Sequence, residues 1–164
     1  MSQLKHIQSK IKSLDEIVTC SKEWRSKKKK IVFTNGCFDI VHLGHIDYLC
    51  KASELGDVLI IGVNTDASVR RNKGESRPVQ DEMARATLLA SFVFSDAIVL
   101  FDEDTPYNLI SAIAPNVLVK GSDWSEDEIV GADIVLRSRG EVRTIDFLDG
   151  YSTTSILEKA LRAH

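Results

Sequence analysis

Four short runs, "KIVFTNG" (30–36), "DVLIIGVN" (57–64), "AIVLF" (97–101) and "NVLVKG" (116–121), are nearly unbroken in Val, Ile, Leu and Phe. A strand with one wet face alternates apolar and polar residues. A strand that is apolar throughout must be covered on both faces, as in a parallel sheet flanked by helices. A fifth, less continuous run, "EVRTIDFL" (141–148), reads as another strand. Helical patterns fill the intervals. Leu43, Ile46, Leu49 and Cys50 make one apolar face that Gly56 ends, and Asp81 opens a helix over 81–92. Thr105 reads as an N-cap before Pro106, while Ser125–Glu128 and Ser155–Glu158 have capping-box spacing. A leading helix over about 13–26 precedes the first strand. The alternation predicts a single doubly wound α/β domain whose ligand sits beyond the carboxyl ends of the strands.

Composition narrows the function. The chain has 164 residues, 27% of them charged, with a net charge of −3. That balance argues against general nucleic-acid binding, which needs a basic face to displace counterions. The cluster Lys27–Lys30 reads as solvated cations beside a helix end. "MSQLKHIQSK" is too polar for a secretory signal, and no apolar stretch approaches the roughly 20 residues of a membrane span. Cys20, Cys37 and Cys50 are odd in number and show no C-x-x-C spacing. A reducing cytoplasmic setting without membrane contact is expected.

Two common phosphate loops, G-x-x-x-x-G-K-[ST] and G-x-G-x-x-G, are missing. In their place "TNGCFDIVHLGHI" (34–46) sets His42 and His45 around Gly44, where the first strong strand gives way to a helix. A helix start offers free amides and a positive dipole end to an anion, and residues three apart share one side of its first turn. Gly44 removes a side chain that would block close approach. Metal binding is the weaker alternative: two histidines lack a third ligand, and Asp39 and Asp47 read equally as surface or capping residues. The junction therefore favours phosphate, and no protein-held metal is expected.

"NGCFDIVHLGH" resembles the H-x-G-H signature of the cytidylyltransferase-like nucleotidyltransferases. "NTDASVRRNKGESRPV", "EMARATLLASF", "EDTPYNLISAIAPNVLVKGSDW" and "DGYSTTSI" follow in order. From about residue 12 to about 162 the set resembles one branch, the D-glycero-β-D-manno-heptose 1-phosphate adenylyltransferases. The resemblance implies a Rossmann-like, five-stranded parallel sheet in one nucleotidyltransferase domain over 1–164. Residues 1–29 would be a leading helical segment and 30–164 the catalytic core. It implies transfer of AMP from ATP to heptose 1-phosphate, with release of pyrophosphate and Mg²⁺ arriving with the nucleotide. A homo-oligomer, a role in ADP-heptose supply for lipopolysaccharide, and a separate upstream heptose kinase are also implied. The alternatives are a cytidylyltransferase for glycerol 3-phosphate or another small phosphate, and an inactive nucleotide-binding sensor.

By the same resemblance His42, His45 and Lys73 are the catalytic set. Thr34, Asn35, Gly36, Phe38 and Gly44 would line the phosphate pocket. Lys120, Gly121 and Asp123 leave a strand at the sheet edge, with Asp123 read either as a hydroxyl ligand or as a helix cap. Ser152, Thr153 and Thr154 would form a second anion site at the last helix. Lys73 reads otherwise as an exposed loop lysine, Arg77 as a less defined neighbour, and Arg85 as a helix-surface partner of Asp81. Ser122 and Trp124 depart from the glycine and tyrosine of many relatives.

Overall fold

The computed structural model describes residues 2–125 and 128–162. In chain order they form α1 (Gln3–Gln8), β1 (Ile11–Lys12), α2 (Leu14–Ser26), β2 (Ile31–Gly36), α3 (Leu43–Ser53), β3 (Val58–Asn64) and α4 (Asp66–Lys73). There follow α5 (Glu82–Ala90), β4 (Ala97–Phe101), α6 (Tyr107–Ile113), β5 (Val117–Gly121), α7 (Ala132–Arg137), β6 (Glu141–Ile145) and α8 (Thr153–Arg162).

All strands are parallel and lie in the order β1-β4-β3-β2-β5-β6. The order reverses between β2 and β5, and such a switch point opens a crevice at the carboxyl edge. Register shows the opening. β2 pairs with β3 as far as Gly36↔Val63, whereas its pairing with β5 ends at Phe33↔Leu118. The last residues of β2 and β5 are thus free to part around a ligand.

Both sheet faces are covered, as the continuous apolar runs require. Ile17 of α2, Ile110 of α6 and Val135 of α7 pack with Phe33 and Ile60 on one side. Leu49 of α3 and Leu89 of α5 pack with Val32, Ile61 and Val119 on the other. Every residue of β3 is buried. Among the described residues no helix is long and apolar enough to cross a membrane.

The sheet has six strands where five were expected. β1 is only two residues long and pairs Ile11↔Ile98 and Lys12↔Val99. Two residues, one of them lysine, carry no periodic signal, so the leading segment extends the sheet as well as supplying helices.

Helix starts also shift. Pro106 occupies the capping position of α6, with no side-chain cap, and Thr105 lies one residue further out. At α8 the Ser155 amide donates to Ser152 Oγ at 3.1 Å, and Ser155 Oγ donates to the Ser152 carbonyl. The helix therefore begins two residues before the expected Ser155–Glu158 box. Of the Ser125–Glu128 box, the two central residues lie outside the described ones. Ser125 Oγ donates to the Glu128 carboxylate at 2.7 Å.

Candidate active site

The site begins where β2 ends. His42 is the N-cap of α3 in extended geometry, yet its side chain makes no cap hydrogen bond. The first amides of a helix have no intrahelical acceptor, so the start of α3 can offer donors to an anion beside His45. His45, three residues on, brings its ring against that of His42, with centroids 3.9 Å apart and planes 24° apart. Phe38 meets His45 edge-on at 5.4 Å. A Cβ on Gly44 would lie 3.0 Å from His42 Nδ1 and 3.2 Å from Tyr151 Cβ, so glycine permits this stack.

Two adjoining compartments open at the switch point. The first, about 180 Å³, is lined by His45, Phe38, Asp39, Tyr48, Arg77, Gly121, Asp123, Phe147 and Thr153. The second, about 210 Å³, is lined by Asn64, Asn72, Asp104, Thr105, Glu128 and Val130. Asn35, Cys37, Lys73, Lys120 and Trp124 line both. Two lysines thus stand at the boundary between a compartment with the histidine and one that combines the neutral groups of Asn64, Asn72 and Thr105 with the carboxylates of Asp104 and Glu128. Lys120 Nζ donates to Asn35 Oδ1 at 2.6 Å, fixing it above the parted strands.

The loops around the cleft are held by buried charge. Asp39 is only 2% exposed and accepts from Arg77 Nε at 2.6 Å, the Val79 amide at 2.8 Å and the Gln80 amide at 3.0 Å. Burial alone would raise its carboxyl. The amides of Gln80 and Val79 and the Arg77 cation outweigh burial and hold it below the ordinary range. Arg85 is wholly buried, contrary to its reading as a surface partner of Asp81. It donates to the Cys37 carbonyl at 2.6 Å, the Gln80 carbonyl at 3.0 Å and Asp66 at 2.7 Å. The Asp81 side chain instead caps α5 through the Ala84 amide. One guanidinium therefore ties the histidine loop, the loop before α5 and the start of α4.

Electrostatically the cleft disfavours protons on its bases. Burial, His42 and Lys73 push His45 down to about 4 against the pull of the Ile40 carbonyl, and burial also lowers His42. The Nδ1 atoms of both rings are buried without a hydrogen-bond partner. Burial brings Lys120 down to about 8, opposed by Asp123 and Cys37. An anion placed here would reverse each of these trends. Burial raises the Tyr48 hydroxyl to about 12, and that hydroxyl bonds to Thr34 Oγ1 at 2.8 Å.

The sequence-predicted residues separate into two groups. Asn35, Gly36, Phe38, His45, Lys73, Lys120, Gly121, Asp123 and Thr153 line the first compartment. His42 and Gly44 shape it through the ring stack. Thr34 lies beneath the floor, 0% exposed, and reaches the cleft only through Tyr48. Ser152 caps the Ser155 amide, and Thr154 is exposed on α8. A side chain at Gly121 would overlap the Phe147 ring, which stacks on Tyr48 at 5.6 Å. Sequence reasoning passed over Tyr48, Phe147, Asn64 and the burial of Arg85. Among the described residues no group of three His, Cys, Asp or Glu side chains is placed to hold a metal.

A histidine stack at a helix start, with His45 sharing a compartment with Lys73 and Lys120 at the carboxyl edge of a parallel sheet, is the arrangement of a nucleotidyltransferase-type α/β domain. The chain belongs to the cytidylyltransferase-like family, whose model matches residues 33–159. It is 58% identical over 152 residues to the bifunctional protein HldE of Campylobacter jejuni subsp. doylei, covering 93% of this chain and 32% of that protein. HldE of Geobacter metallireducens is 51% identical over 156 residues, 95% of this chain and 32% of the relative. The chain thus spans about a third of the length of the curated relatives it matches. Among solved structures, the lipopolysaccharide core biosynthesis protein from Thermoplasma volcanium GSS1 superposes with a TM-score of 0.61 at 29% identity, covering 76% of this chain and 99% of that one. Pantoate-beta-alanine ligase from Francisella tularensis, at 17% identity and a TM-score of 0.61, shares the fold over 93% of this chain and 76% of its own.

Proposed function

We propose that the chain transfers AMP from ATP to D-glycero-β-D-manno-heptose 1-phosphate, giving ADP-heptose and pyrophosphate. The observation that carries the reaction class is His45, stacked on His42 at the start of α3 and lining one compartment together with Lys73 and Lys120. The choice of acceptor rests on the ordered motifs and on the HldE relatives at 51–58% identity. The Thermoplasma relative's role in lipopolysaccharide core biosynthesis agrees with it.

In this reading the triphosphate lies in the first compartment against the α3 amides and the two imidazoles. The sugar phosphate enters the second, so that the lysines face both anions. An oxygen of the acceptor phosphate attacks the α-phosphorus, a new P–O bond forms, and the bond to the pyrophosphate oxygen breaks. The enzyme supplies position and neutralises charge gathering on the phosphoryl oxygens. Asp39 is already engaged by Arg77 and two amides. With Asp39 so engaged and no cluster of three ligand side chains among the described residues, a Mg²⁺ would come with the triphosphate, shielding its charge and keeping waters and phosphate oxygens as ligands.

Product analysis with ATP, CTP and GTP against heptose 1-phosphate and glycerol 3-phosphate tests the reading. ADP-heptose and pyrophosphate in equal amounts are expected from ATP and heptose 1-phosphate. CDP-glycerol as the main product, or tight ATP binding with no pyrophosphate released to any acceptor, would overturn it.

A further inference from the structure

The second compartment contains a buried amide whose orientation is fixed from behind. Asn64, the last residue of β3, is 6% exposed. Its Nδ2 donates to Ser68 Oγ at 3.0 Å. Ser68 is fully buried, and its hydroxyl donates to the Glu103 carbonyl at 3.2 Å. A carbonyl can only accept, so the single Ser68 proton is committed there and Ser68 must accept from Asn64. The amide is therefore locked with Nδ2 rearward and Oδ1 toward Cys37 and the compartment. The partner of that oxygen is the Cys37 thiol at 3.8 Å, a weak donor.

A buried carbonyl oxygen with so poor a partner is costly unless a ligand supplies a donor. Asn35, Lys73 and Lys120 line the same compartment. Lys120 is held by Asn35, so the cations are set to take a phosphate while Asn64 faces the body that carries it. We propose that Asn64 is a specificity-determining residue for the acceptor. Its Oδ1 accepts a hydrogen bond from a hydroxyl of the sugar whose phosphate lies between Lys73 and Lys120, and Ser68 is the positioning residue that aims it. This inference rests on the acceptor reading above and adds the group that selects a polyol over a phosphate lacking that hydroxyl.

The test measures heptose 1-phosphate binding by calorimetry with a non-hydrolysable ATP analogue present, alongside steady-state KM values for both substrates. Asn64→Leu keeps the approximate volume and removes the acceptor. It is expected to weaken heptose 1-phosphate binding and raise its KM about tenfold, the effect of one neutral hydrogen bond, with the KM for ATP unchanged. Ser68→Ala frees the amide to turn and is expected to shift the same quantities in the same direction by less, which covers the case of a poorly folded Asn64 variant. Wild type is also expected to favour the sugar over a deoxy analogue lacking the contacted hydroxyl, and the Asn64 variant to lose that preference. Unchanged sugar affinity in both folded variants, or equal loss for ATP and sugar, overturns the inference while wild-type turnover upholds the reaction. Wild type that binds the sugar without transfer breaks the reaction reading alone, because the binding comparison still decides the role of Asn64. Wild type that binds no heptose 1-phosphate overturns both.

Discussion

Replacing His42 or His45 with alanine is expected to lower kcat about 10²–10³-fold, the usual loss when one preorganised donor to a charged transition state is removed. Folding stability is expected to change little, by about 1 kcal/mol. The reason is local: neither Nδ1 has a protein partner, and truncation at position 45 releases only the Ile40 carbonyl, which Thr153 Oγ1 also reaches at 3.5 Å. The rings touch each other and Phe38, and bear no ladder or cap. Turnover at near wild-type rate in either variant would contradict their role. The same pair gives a pH signature. His45 has an ordinary value of 6.5 and a folded value of about 4, so between these the unfolded chain binds more protons. Stability is then full above about pH 6.5 and declines as pH falls toward about 4. Denaturant midpoints for wild type and His45→Gln, compared at pH 7 and pH 5, check the sign: the wild type is expected to lose more over that interval.

Arg85→Met is expected to cost most in stability, about 3 kcal/mol, at the lower end of what removing one member of a buried pair entails. The lower end applies because the Asp66 side chain keeps 24% exposure and is partly rehydrated when its partner goes. The carbonyls of Cys37 and Gln80 lose donors at the same time. For a chain of this size the thermal midpoint should fall roughly 6–12 °C. Arg85→Met with Asp66→Asn is expected to recover part of the loss, since no unpaired charge remains. A single variant that melts with the wild type would show that the three loops are held by other contacts. Because those loops bear Cys37 and lead through α4 to Lys73, the rate should fall along with stability.

What could be read from sequence follows from the range of each interaction. β2 to β5 were legible because burial on both faces writes itself as continuous apolar runs, and α5 because Asp81 is a local cap. The histidine pair was legible for the same reason, N-cap and first-turn positions being three residues apart. β1 was not, since two residues paired to β4 leave no pattern. Arg85 was misread because its acceptors come from residues 37, 66 and 80, and the local partner at position 81 looked sufficient. Asn64 was unreadable as a site residue: its orientation depends on a Ser68 hydroxyl committed to the carbonyl of Glu103, 35 residues away in sequence.

In the proposed reaction the acceptor phosphate attacks the α-phosphorus directly within the cleft shared by His45, Lys73 and Lys120. ATP made chiral at the α-phosphorus by sulfur substitution tests it, with heptose 1-phosphate as acceptor and the configuration of the ADP-heptose analogue as the readout. A single in-line displacement predicts inversion at phosphorus. Net retention would mean two displacements through an enzyme-bound nucleotidyl group, and would rule out direct attack.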